Sequence, residues 1–135
     1  MAGRSIRLAS AILSLTVGCS LPTAIDSVPA TQAQVLAHES AYHFAEMRGV
    51  RLDAVIFTEP PTPSYAAWSL CDQHAIGFNK DYIEKDWVYK FIPALAAHEV
   101  CHIHYKDNLP CGQRATIDVE ARAEECAREL IGRGL

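Results

Sequence analysis

The sequence has no cluster of basic residues and none interleaved with aromatics. Its 12 Lys and Arg are scattered against 16 Asp and Glu, for a formal net charge of −4. Nucleic-acid binders carry a basic patch or stripe, so no partner of that class is expected. No apolar run reaches the roughly 20 residues that a helix needs to cross a bilayer. There is no internal repeat and no low-complexity stretch, which sets aside a solenoid or a compositionally biased chain. What remains is 135 residues, half of them apolar. That is enough for one domain with a sizeable core and not for two.

The first residues read differently from the rest. Arg4 and Arg7 supply a positive start, and Leu8 to Val17 is an unbroken run of apolar and small residues. The run has the length of a signal-peptide core, so residues 1–18 are expected to be a signal peptide. The segment Leu15-Thr16-Val17-Gly18-Cys19 resembles the lipobox of bacterial lipoproteins, with Thr16 where that motif prefers Leu. The resemblance implies lipidation of Cys19 and export to the bacterial cell envelope, with the membrane reached through the lipid anchor. Cleavage near Ser20 to Ala24, or retention as an uncleaved anchor, are the alternatives. Loss of Arg4 and Arg7 leaves ten basic residues against sixteen acidic, a net charge of −6. Residues 19–30, with Pro22 and Pro29 among small polar residues, are expected to form a tether, and residues 31–135 the domain.

With Cys19 acylated, Cys71, Cys101, Cys111 and Cys126 remain. An even number in an exported chain points to two disulfides, and four cysteines leave three connectivities open. Cys101 and Cys126 also suit small buried residues within helices.

The domain reads as α+β. A helix is expected over Thr31 to Arg48, with Thr31 and Gln34 as a capping box and Gly49 as its stop. Val35, Leu36, Phe44 and Met47 are its candidate buried residues. His38 and His43 on it read as surface residues. Leu52 to Thr58, Tyr65 to Leu70 and Ala75 to Phe78 read as strands, the last two joined at a Gly-free turn, Asp72-Gln73-His74. These are expected to form a small antiparallel sheet. A second helix is expected from Ile92 to Tyr105 with Pro93 in its first turn. After a loop over Asp107 to Gly112, a last helix should run from Thr116 to Ile131 and stop at Gly132.

The chemistry is concentrated in His98-Glu99-Val100-Cys101-His102, an HExxH motif on the second predicted helix. Two histidines four apart lie one turn apart on the same face, so both imidazoles can reach one zinc. Glu99 is about 100° around the helix, too far for the same ion but placed to take a proton from water. The longer HExxHxxGxxH pattern is excluded, because Tyr105 and Asn108 stand where it needs Gly and His. His104 points about 200° away from His102. The third ligand is therefore sought on the last helix, among Glu120, Glu124, Glu125 and Glu129. Tyr82, Tyr89, Tyr105 and His104 are candidates to stabilise an oxyanion.

The motif followed by Glu120-Ala121-Arg122-Ala123-Glu124 resembles the gluzincin zinc peptidases, including their HtpX-like branch, whose second element is Glu-x-x-Ala-Asp. Ala127-Arg128-Glu129-Leu130-Ile131 is similar to the segment that follows in phage-repressor-cleaving gluzincins. Ile76-Gly77-Phe78-Asn79 is similar to the edge strand that lies along the active site of minimal gluzincins. The resemblance covers roughly residues 65 to 131. It implies a zincin-like fold, Zn2+ held by His98, His102 and Glu120, and Glu99 as general base. It also implies that Glu124, standing where that branch has Asp, supports a zinc-bound histidine. The substrate implied is a peptide or protein lying as an added strand. The rival expectation is a non-catalytic zinc-binding envelope lipoprotein that serves as an interaction module. Oligomeric state is not legible.

Overall fold

The computed structural model describes residues 22–107 and 116–134. The expected signal peptide, the lipidation site Cys19 and Cys111 lie outside the described residues. In chain order the elements are α1 (Gln32–Arg48), β1 (Ala54–Thr58), β2 (Ala67–Ser69), β3 (Ala75–Asn79), 3-10 turns at Tyr82–Glu84 and Asp86–Phe91, α2 (Ile92–His104) and α3 (Ile117–Gly134). The fold is α+β, as the sequence predicts.

Helix α1 starts where the sequence places it. Thr31 Oγ1 accepts the Gln34 backbone N–H at 3.1 Å. Gln34 Oε1 accepts from Ala30 N–H at 2.9 Å, one residue ahead of the usual reciprocal partner. Gly49, left-handed at φ 72°, ends the helix. The buried face differs from expectation. Val35 is exposed, while Ala33, Ala37, Ala41 and Ala45 are buried with Ser40 and Phe44. These alanines let α1 approach α2 closely, where Ala96 and Ala97 are likewise buried. The stretch expected as a tether is, from Pro22 onward, bound to the domain. Ser27 N–H donates to Val55 at 2.9 Å. Asp26 Oδ1 accepts from Val55 N–H at 2.8 Å and from the Tyr42 hydroxyl at 3.0 Å.

The sheet order is β1-β3-β2, so Ile76–Asn79, expected as an edge strand, lies instead in the central strand, and β1 and β2 are the edges. β2 and β3 pair antiparallel, but β1 and β3 pair in parallel, so the sheet is mixed and the expectation of an antiparallel one is corrected. The physical reason is the crossing made by the Pro60–Pro63 segment, which sets β3 between the other two strands. Strand patterning reports which faces are buried and not the direction of a neighbour. Asp72, at φ 59°, supplies the left-handed residue of the β2–β3 turn without a glycine. Gly77 is required for a different reason: a Cβ there would lie 2.4 Å from Trp68 Cε2, because the indole crosses the central strand.

Helix α2 is buried almost all round, by Ile92, Ala96, Ala97, Val100, Cys101 and Ile103. Pro93 sits in its first turn, where a missing N–H breaks no helical bond. Helix α3 buries Ala123, Cys126, Ala127 and Leu130, a stripe at helical spacing. Thr116 Oγ1 accepts from Val119 N–H at 3.2 Å and begins it. It runs past Gly132 to Gly134, three residues beyond the predicted last residue, Ile131. Gly132 is solvent-facing, with no atom within 4 Å of a Cβ built on it, and does not turn the chain.

Candidate metal centre

Helices α2 and α3 pack so that the HExxH turn faces the first turns of α3. His98 Nε2 and His102 Nε2 lie 3.0 Å apart. Glu120 reaches both, with Oε1 3.0 Å from His98 Nε2 and Oε2 3.2 Å from His102 Nε2. The three residues offer ligand atoms within 4.8 Å of one another.

The hydrogen bonds on the far side of each ring define what these nitrogens offer. His98 Nδ1 lies 2.8 Å from Glu124 Oε1. His102 Nδ1 lies 2.9 Å from Asp107 Oδ2. Carboxylates accept and do not donate, so each Nδ1 carries the hydrogen and each neutral ring keeps its lone pair on Nε2. Two lone pairs and a carboxylate then converge, with no donor between them unless a ring is protonated. A cation suits that set: two imidazoles and one carboxylate are donors for a divalent transition ion. Without an ion, burial pushes His98 down, but Glu99, Glu124 and Glu120 outweigh it and hold it above its ordinary value.

Glu99 follows His98 on the same helix turn. It is buried, and the Ser69 backbone of β2 acts to lower its pKa. Burial raises its pKa, while His102 and His98 act in the opposite sense. With His98 and Glu124 it lines a cavity of about 440 Å³, whose walls include Tyr65, Tyr82, Val88, Phe91 and Leu95. That volume is within the range of small-ligand pockets. Of the four residues weighed for oxyanion stabilisation, Tyr82 lines this cavity. Tyr89 lines a different one, Tyr105 stacks on Arg122, and His104 is exposed.

Among the other candidates, Glu125 and Glu129 face a separate polar cavity with Arg48 and Arg128. His38 is paired with Asp26 at 3.0 Å, away from the centre. Cys101 and Cys126, read as small buried residues, are indeed buried but are also bonded to each other. Cys71 is disulfide-bonded as well.

Asp107 is the residue that sequence reasoning missed, having been read as the start of a loop. Helix α2 ends in a Schellman turn: Asp107 N–H donates to His102 C=O at 2.8 Å and Lys106 N–H to Ile103 C=O at 3.0 Å. Lys106 is the left-handed residue, at φ 61°. The turn sends Asp107 back onto the imidazole of its own helix. A glycine at 106 would have signalled such a turn, and the lysine conceals it.

Compared with known protein families, with characterised proteins and with solved structures, the chain gives no match to any. The functional reading rests on the site itself.

Proposed function

We propose that this chain is a zinc-dependent hydrolase of the gluzincin type, a peptidase with Glu99 as general base. The observation that carries the reading is the convergence of His98 Nε2, His102 Nε2 and the Glu120 carboxylate beside a buried glutamate that opens on a cavity. These donors fit zinc: three protein ligands of nitrogen and oxygen are the usual set of a catalytic site, which keeps one position open. When bound, zinc supplies Lewis acidity and water of lowered pKa.

The chain's own residues supply the rest. Burial raises the pKa of the Glu99 carboxylate, and a carboxylate placed beside the metal can take a proton from water and return it to a leaving amine. β2 is an edge strand, which supports binding of an extended chain by main-chain hydrogen bonds. Val88, Phe91 and Leu95 supply an apolar wall for one substrate side chain. The disulfide between Cys101 and Cys126 fits an oxidising compartment, in keeping with an exported protein.

The test is metal content and hydrolysis together. The wild type should hold about one zinc per chain, and Glu120→Ala should lose most of it. Glu99→Gln should keep the zinc and lose roughly 10²–10⁴-fold in peptide hydrolysis. Unchanged hydrolysis by a fully loaded Glu99→Gln would remove the catalytic reading.

A further inference from the structure

Asp107 divides its carboxylate between two partners. Oδ2 faces His102 Nδ1 at 2.9 Å, and Oδ1 accepts from Arg122 Nη2 at 2.6 Å. Its side chain is only 9 % exposed, against 47 % for Arg122. Arg122 stands two residues after Glu120 on α3, and its guanidinium lies over the Tyr105 ring at 4.3 Å. Tyr105 belongs to the turn that delivers Asp107. Arg122 thus grips that turn twice, through the carboxylate and through the ring.

We propose that Asp107, clamped by Arg122, is a positioning residue that fixes the tautomer and ring plane of His102 for metal binding. The proposal rests on the metal reading above and deepens it. A carboxylate on Nδ1 holds the hydrogen there and leaves Nε2 free to ligate. His98 receives the same treatment from Glu124, but the two supports are built differently. Glu124 comes from α3, across the helix interface. Asp107 comes from the C-terminal turn of His102's own helix and, among the described residues, is tied to α3 through Arg122. The clamp therefore also couples the end of α2 to the helix that carries Glu120. Outer partners of this kind, when removed, weaken metal affinity by roughly 10–100-fold.

The experiment compares wild type, Asp107→Ala, Asp107→Asn and Arg122→Gln, each in the full folded domain. Zinc affinity is read by chelator competition, and the His102 tautomer by ¹⁵N-detected NMR of the metal-free ring. Asp107→Ala should bind zinc roughly 10–100-fold more weakly and lose the dominance of the Nδ1–H tautomer. Asp107→Asn, whose amide oxygen still accepts, should recover most of both. Arg122→Gln alters only a half-exposed side chain and should give a smaller loss in the same direction, so it serves if Asp107→Ala fails to fold. The proposal is overturned if zinc affinity and tautomer are unchanged in Asp107→Ala, or if affinity falls while the tautomer stays as in wild type. Should the wild type bind no zinc, the hydrolase reading fails by itself. The tautomer comparison in metal-free protein then still decides whether Asp107 sets the ring.

Discussion

Cys101, inside the HExxH turn, is bonded to Cys126 on the helix that carries Glu120, with their Cα atoms 6.1 Å apart. The bond joins the two elements that supply His98, His102 and Glu120, and it lies in the core beneath them. It closes a loop of sequence separation 25, which corresponds to about 3.5 kcal/mol of stability in the chain-entropy account. The double variant Cys101→Ala, Cys126→Ala should therefore lower the unfolding free energy by about that amount in denaturant melts. It should also weaken zinc binding, because the α2–α3 geometry is then held by packing alone. Wild-type zinc affinity in the folded double variant would show that the bond stabilises the fold without shaping the site.

Glu99 links stability to pH in the metal-free protein. Burial holds its folded pKa above the ordinary 4.5, against the pull of His102 and His98. The folded state thus binds that proton more tightly than the unfolded chain does. Its contribution is complete below about pH 4.5 and is lost as pH rises through the folded value. Glu99→Gln carries no such titration. Relative to the metal-free wild type, it should gain stability as the pH is raised toward neutrality. Chelator-treated samples melted in urea at acid and neutral pH provide the comparison. A difference that stays constant with pH would mean that Glu99 is hydrated and not buried.

How much of this was legible in the sequence depends on whether the signal was local. Thr31, Gly49, Pro93 and Thr116 mark helix ends through bonds within a few residues, and all four stand within a residue of the observed ends. The spacing of His98 and His102 is equally local. What the chain concealed is set by distant partners. The parallel pairing of β1 with β3 depends on where a proline-rich loop crosses. The alanine face of α1 carries little apolar signal and is chosen by the closeness of α2. The Cys101–Cys126 bond belongs to one of the three connectivities that four cysteines allow. Asp107 becomes a partner of His102 only because Lys106 adopts a backbone conformation that its residue type disfavours.

Gly77 holds the edge strand in register with the site. Any side chain there meets the Trp68 ring, the nearest atom lying at 2.4 Å, and that atom belongs to the body of the indole and not to a flexible end. Gly77→Ala must therefore displace Trp68 or separate β2 from β3. Overpacking of this kind costs about 1–3 kcal/mol. Ser69 follows Trp68 on the same strand and its backbone acts on the Glu99 carboxylate, so hydrolysis should fall along with stability. The denaturation midpoint and the specific activity of the zinc-loaded variant are the two readings. An unchanged midpoint would show that the indole does not lie across β3 in solution.

Lys106 offers the reverse test, a substitution expected to stabilise. Its φ of 61° is left-handed, which costs an L-residue roughly 1–2 kcal/mol and glycine almost nothing. Glycine gives part of this back, because it frees the unfolded chain by about 0.5–1 kcal/mol. Lys106→Gly should therefore raise stability modestly, by about 0.5 kcal/mol, and leave the Asp107–His102 contact intact. Lys106→Val should move the other way by more than 1 kcal/mol, roughly, since a β-branched residue is least tolerant of positive φ. The pair of melting temperatures decides the matter better than either alone, because both variants remove the same lysine charge. Glycine above wild type and valine below would establish the left-handed turn that carries Asp107 to His102. The opposite order would mean that α2 ends differently and that Asp107 reaches the ring by another path.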